Sequence, residues 1–140
     1  MITVSRKEEL DVLIHTIEGI PVYTEISNAI DSYYKGVLTK YTIWDFSKTD
    51  PSTHLTSEET KKLGRQVNLY AGRRPGGVDI LVVPGILQYG LARIYQAYSA
   101  VMGKDDGKLK AKIFRKYEDG LQFIRRNEIN TKSVESALQK

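Results

Sequence analysis

Apolar residues along the chain fall alternately into strand-like runs and helix-like spacings. Val12-Leu13-Ile14-His15-Thr16-Ile17 reads as a strand, with a short one before it at Ile2-Thr3-Val4-Ser5. The polar Arg6-Lys7-Glu8-Glu9 between them suits a hairpin turn, although no Asn-Gly or Asp-Gly marks it. Gly19 and Pro21 break the pattern. Helical spacing follows at Ile26, Ala29, Ile30, Tyr33 and Val37, with Gly36 as a stop signal. Tyr41 to Phe46 is the next strand, and Leu63, Val67 and Tyr70 predict a helix after Thr56.

The run from Val78 to Val83 is nearly all apolar, as expected of a strand covered on both faces. Arg73-Arg74-Pro75-Gly76-Gly77 breaks the chain before it and Pro84-Gly85 ends it. Leu87, Leu91, Ile94, Tyr95, Tyr98, Val101 and Met102 then predict a helix ending at Gly103. From Lys108 to Phe114, Leu109, Ala111 and Ile113 point one way while Lys110 and Lys112 point the other. Lysines on an open side discourage sheet-to-sheet association and place this strand at or near an edge. A short helix over Glu118–Arg126 closes the pattern. The stretch 127–140 keeps only Val134 and Leu138 at helical spacing, as a tail or a small docking helix.

Strands alternating with helices imply βαβ units and a mostly parallel sheet of four to five strands with about four helices. The expected organisation is a single α/β domain over 1–126 and a C-terminal tail or short helix over 127–140. Composition agrees: 140 residues, 41% hydrophobic and 27% charged, describe an ordinary globular chain. No apolar stretch is long enough to cross a bilayer, and the first residues lack the basic and apolar regions of a signal peptide. Without cysteine there is no disulfide, thiolate nucleophile or zinc ribbon, and a reducing cytoplasm is the expected location. The net charge of +4 lies wholly in residues 104–140, interleaved with acids. That modest bias reads as a solvated face.

Candidate chemistry is sparse. Asp45 lies near the carboxyl end of its strand, where open α/β sheets place ligand groups. It lacks histidine or acid partners at a ligand spacing, and the alternative is a carboxylate that holds loop N–H groups. Thr56-Ser57-Glu58-Glu59 matches a capping box. A phosphate on Thr56 would face Glu58 and Glu59, so Ser52 and Thr53 are the better switch positions in the loop 47–57. Gly85 and Gly90 have phosphate-loop spacing, but Leu91-Ala92 stand where Lys and Ser/Thr are required. Amides at that helix start, with Tyr89 and Arg93, could still hold a small anion. Otherwise Gly85 ends the strand, Gly90 allows close packing and Arg93 pairs with an acid.

The two histidines, His15 and His54, make neither a metal site nor a triad. His15 is expected as a packed strand residue. The nine tyrosines fit a core rim or a partner surface, and no nucleic-acid-binding signature accompanies them.

The segments TIWDFS, LTSEET, VDILVVPG, YGLARIYQAYSAVMG and KIFRKYEDGLQFI together resemble the SpoIIAA-like group of STAS-type bacterial domains over residues 2–126. That group includes the anti-sigma-factor antagonists. The resemblance implies a βαβ superhelix and a cytoplasmic regulatory module without catalysis or cofactor, working through a protein partner or as a homodimer. In the partner-switching members a strand-end Asp leads to an Asp-Ser-[Ser/Thr]-Gly turn whose serine is phosphorylated. Asp45 matches the strand-end Asp by position, but Thr53-His54-Leu55 occupies the place of the turn. Ser52, Thr53 and Thr56 are replacements by location only. Some chains of this look are likened to lipid-transfer domains, which leaves a second expectation: a small anionic or lipid-like ligand bound near Gly85–Arg93. Nucleic acid is not an expected partner.

Overall fold

The computed structural model describes residues 1–99 and 109–138. Five strands form one mixed sheet in the order β1-β2-β3-β4-β5: β1 (Ile2–Lys7), β2 (Val12–Gly19), β3 (Tyr41–Thr49), β4 (Val78–Val82) and β5 (Lys110–Phe114). Strands β2 to β5 run parallel, while β1 pairs antiparallel with β2 from Ile2 opposite Ile17 to Lys7 opposite Val12. The hairpin is therefore present, but its turn is one 3₁₀ turn at Glu8–Leu10 closed by Asp11 at φ 52°. Asp is among the few side chains that tolerate this left-handed conformation. Asp11 also starts β3, its carbonyl accepting from Tyr41 N at 3.0 Å and its carboxylate from Lys40 N at 3.1 Å.

Three helices cross between successive parallel strands: α1 (Tyr23–Lys35), α2 (Ser57–Tyr70) and α3 (Ile86–Ser99). Their apolar stripes, including Ile26, Ile30, Leu63, Val67, Ala92 and Tyr95, form one core with Leu13, Ile17, Trp44 and Leu81 from the strands. The opposite faces of those strands (Val12, Ile14, Tyr41, Ile43, Val78, Ile80 and Val82) form a second core with Leu121 and Ile124 of α4 (Tyr117–Leu138). This period-2 division explains why β4 reads as apolar throughout: it is buried from both sides. Each fully buried large side chain contributes on the order of 2 kcal/mol relative to exposure.

The expected edge is correct. β5 ends the sheet, and Lys110 and Lys112 are exposed. Two boundaries differ from the pattern. Gly36 does stop α1, which leaves Val37 outside the helix and 75% exposed instead of on its apolar stripe. The last helix does not end at Arg126 but continues unbroken to Leu138. Polar anchors that periodicity cannot reveal hold the first residues of this extension. Tyr41 Oη donates to Glu128 Oε1 at 2.7 Å and accepts from Asn127 Nδ2 at 2.7 Å, while Lys40 Nζ lies 2.8 Å from Glu128. Residues Val101 to Gly103 and Lys108, assigned above to a helix end and a strand start, lie outside the described residues.

Candidate functional site

The parallel strands place the loops after β2, β3 and β4 at one end of the sheet, and a cavity of about 80 Å³ opens there between sheet and helices. Trp44 and Phe46 of β3, with Leu81 and Val83 at the end of β4, form its inner wall. Leu91, Ala92 and Gln88 enter from α3, and His54 and Leu55 from the loop after β3. The lining is almost wholly apolar, because these side chains continue the helix-covered core to where the sheet ends.

Hydrogen bonds define the loop over this cavity. Asp50 Oδ1 accepts from Ser52 N at 2.9 Å and Ser52 Oγ at 2.7 Å, while the Asp50 carbonyl accepts from Thr53 N at 3.0 Å and Thr53 Oγ1 at 2.8 Å. This is an Asx turn, the local geometry that Asp and Ser favour. The Ser52 N–H and hydroxyl lower the Asp50 pKa from its ordinary value. Asp50 N donates to the Gly19 carbonyl at 2.8 Å, tying the loop to the end of β2. Gln88 Nε2 donates to Thr49 Oγ1 at 3.1 Å, tying α3 to the end of β3. The capping box closes the segment: Thr56 Oγ1 accepts from Glu59 N at 3.1 Å, and Glu59 Oε1 from Thr56 N at 2.9 Å.

Asp45 and Arg93 do not converge on this cavity. Strand alternation turns the buried Asp45 to the α4 face, where its Oδ1 accepts from Ser47 N at 2.9 Å. Arg93 is exposed on α3 and makes no ion pair among the described residues. Gly85 supplies the carbonyl that accepts from Tyr89 N at 2.9 Å, and Tyr89 lies beneath Arg115, 5.6 Å from ring centroid to guanidinium. Gly90 is exposed, and a Cβ there would meet nothing within 4 Å, so it does not serve close packing. The close approach is at Gly64 instead, where a Cβ would stand 2.6 Å from Tyr98 Cβ. Thus the segment Gly85–Arg93 does border a cavity, but through Gln88, Leu91 and Ala92 on the other side of the helix.

Beneath the cavity lies a buried polar cluster that the sequence reading missed. Arg74 and Asp79 form an ion pair at 2.8 Å with side chains 3% and 4% exposed. Asp79 also accepts from Thr42 Oγ1 at 2.6 Å and Tyr95 Oη at 3.2 Å. Arg74 donates to the carbonyls of Thr39 at 2.8 Å and Lys40 at 2.9 Å. Burial works against the Arg74 charge, but Asp79 and the tyrosines outweigh it and raise its pKa. Burial, reinforced by Asp79, pushes Tyr34 up to about 12 and Tyr95 well above its ordinary value. Tyr95 links the two regions, its ring lining the cavity and its hydroxyl bonding Asp79. A signal for this cluster was available: an aspartate inside the apolar run Val78-Asp79-Ile80 needs a partner, and Arg74 stands five residues before it. The cavity walls carried no such signal, since strand-end apolar residues look the same whether or not a space lies beside them.

Among the described residues no group of three or more His, Asp or Glu side chains is placed to hold a metal ion. None of the described helices is long and apolar enough to cross a membrane. No family model matches the chain, and no curated protein matches it either.

Proposed function

We propose that the protein is a non-catalytic binding module whose apolar cavity receives the end of a small amphipathic, lipid-like molecule. The carrying observation is the composition and place of that cavity, at the carboxyl ends of parallel strands where open α/β sheets bind ligands. Its volume of about 80 Å³ matches a short alkyl end. Exposed Ile20 and Val22 flank the lining residue Pro21, and exposed Ile86 and Leu87 precede the lining residue Gln88. These four give the rest of an apolar chain a surface to follow. Arg93 faces away from the cavity, so a head group would lie at the solvent mouth beyond these residues.

Native mass spectrometry of gently purified protein, with melting curves in straight-chain carboxylates from butanoate to dodecanoate, tests this reading. Retained mass and a chain-length-dependent rise in melting temperature are expected, and Leu91→Trp, which fills the cavity, should abolish both. A clean unliganded mass with flat melting across the series refutes it.

The STAS-type reading supports a second role for the same end of the molecule, regulatory binding of a protein partner through the loop residues Ser52, Thr53 and Thr56, with the buried Asp45 holding the Ser47 amide at the strand end. The element order fits such a domain, and the exposed Ser52 sits in the hydrogen-bonded turn beside the cavity roof. A phosphate on Ser52 would confront the Asp50 carboxylate and open that turn. Crosslinking in the source cell, compared between wild type, Ser52→Ala and Ser52→Glu, tests it. Identical partners and oligomeric state in all three would sink the switch.

A further inference from the structure

The two edges of the sheet are defended differently. β5 carries Lys110 and Lys112, both exposed, which oppose pairing with another strand. β1, at the other edge, holds no charged side chain between Ile2 and Arg6, and Thr3, Val4 and Ser5 are all exposed.

The ladder with β2 decides which backbone groups of β1 are open. Glu18 N donates to the Met1 carbonyl at 2.9 Å, and Met1 N donates to the Glu18 carbonyl at 3.1 Å. Bonded and non-bonded positions alternate along an antiparallel pair. Thr3 stands opposite Thr16 and Ser5 opposite Ile14, so Thr3 and Ser5 aim their N–H and C=O groups at β2. Those of Ile2, Val4 and Arg6 point outward, where β1 has no strand neighbour among the described residues.

The side chains of these three residues lie on the α1 face. Ile2 packs on the helix-covered core, Ile2 and Val4 line a groove beside α1, and Arg6 donates to the Val37 carbonyl just past α1 at 3.0 Å. Glu25 lines the same groove beside the start of β1, 3.5 Å from the Met1 amino nitrogen, with its side chain 45% exposed. On this face β1 has a carboxylate beside its start and a cation at its finish.

We propose that the β1 edge is an interface for a second copy of the chain, the two β1 strands pairing antiparallel across a two-fold axis into one continuous sheet. Only residues with outward groups can bond. The register of fullest overlap therefore sets Val4 opposite Val4 of the second copy on the axis, and Ile2 opposite its Arg6. Each such pair exchanges both N–H···O bonds. Arg6 of each copy then comes beside Glu25 of the other, where opposite charges meet. On the reverse face Thr3 meets Ser5 of the second copy, a suitable cross-strand pair. A second copy is favoured over a foreign extended segment because one symmetry operation serves both ends, bringing a cation to Glu25 and a carboxylate to Arg6. The interface uses no residue of the strand-end cavity, so its test is independent of the ligand proposed there.

Sedimentation velocity of the full chain over a concentration series should show a reversible monomer–dimer equilibrium. The chain has no cysteine, so Val4→Cys reports the register directly. Bonded partners in an antiparallel pair stand about 5.5 Å apart between Cα atoms, within the reach of a disulfide. Mild oxidation should link two Val4→Cys chains and leave Lys7→Cys chains single. Val4→Pro deletes an N–H that β2 does not use, so the hairpin should survive and the dimer should be lost. Arg6→Glu should weaken dimerisation at least about tenfold. Arg6→Glu combined with Glu25→Arg should restore it, a result that stands even if the proline variant does not fold. A monomer at every concentration overturns the proposal. So does a dimer equally stable in Arg6→Glu and in the charge-swapped variant, or one that crosslinks as readily through Lys7→Cys as through Val4→Cys.

Discussion

Asp79→Asn is expected to be among the most damaging near-isosteric substitutions in this protein. The amide keeps the shape of the carboxylate but removes its charge, leaving Arg74 ionised at 3% side-chain exposure with carbonyls and hydroxyls as its remaining partners. Removing one member of a buried ion pair costs about 3–5 kcal/mol. Thr42 and Tyr95, which donate to Asp79 at 2.6 and 3.2 Å, also exchange a charged acceptor for a neutral one. Against a total stability of about 5–15 kcal/mol, this is a large fraction. Urea unfolding, followed by far-ultraviolet circular dichroism and by the single tryptophan, Trp44, should show the midpoint falling by more than about 1 M. The paired replacement Arg74→Met with Asp79→Leu removes both charges and should recover most of the loss. A stability for Asp79→Asn within about 1 kcal/mol of wild type refutes the reasoning, as does a double variant no better than the single one.

Three further outcomes follow from local geometry. His15 has a folded pKa of about 4 against 6.5 unfolded, so the unfolded chain binds more protons between those values. Stability should be complete above about pH 6.5 and fall as pH drops toward 4, by about 3 kcal/mol in all; a His15→Phe stability profile as steep as wild type would remove His15 as the cause. Thr56→Ala removes the hydroxyl half of the capping box and should cost about 1 kcal/mol in urea melts, with Thr56→Ser near wild type. Gly64→Ala gains about 1 kcal/mol of helix propensity but drives a methyl to 2.6 Å from Tyr98 Cβ, so it should lower the melting temperature. A more stable Gly64→Ala would show that α2 and α3 can part without cost.

Much of the architecture was legible because each strand and helix carries its own periodicity. Val12 to Ile17, Tyr41 to Phe46 and Val78 to Val83 stand out as runs, and the lysine alternation of β5 identified an edge. The length of α4 was not legible, since the helix passes Arg126 where Tyr41 and Lys40 anchor Asn127 and Glu128, and not on an apolar stripe. The candidate site was half visible. The loop 47–57 and the segment after Gly85 do border a cavity, but the helix turns Arg93 outward and Leu91 inward. In the sequence Arg74 belongs only to a chain break, because its partners Thr39, Lys40 and Asp79 come together only when β3 and β4 are paired.

The two ends of β3 and β4 have separate tasks. Near their starts, Arg74, Thr39, Thr42 and Asp79 lock neighbouring strands together, and near their ends Trp44, Phe46, Leu81 and Val83 line a recess. Variation at the recess can therefore accumulate in three loops without disturbing the lock, and a lineage could change what the protein holds while keeping the frame that holds it. Tyr95 is the exception, since it belongs to both ends, and any remodelling of the recess has to work around it.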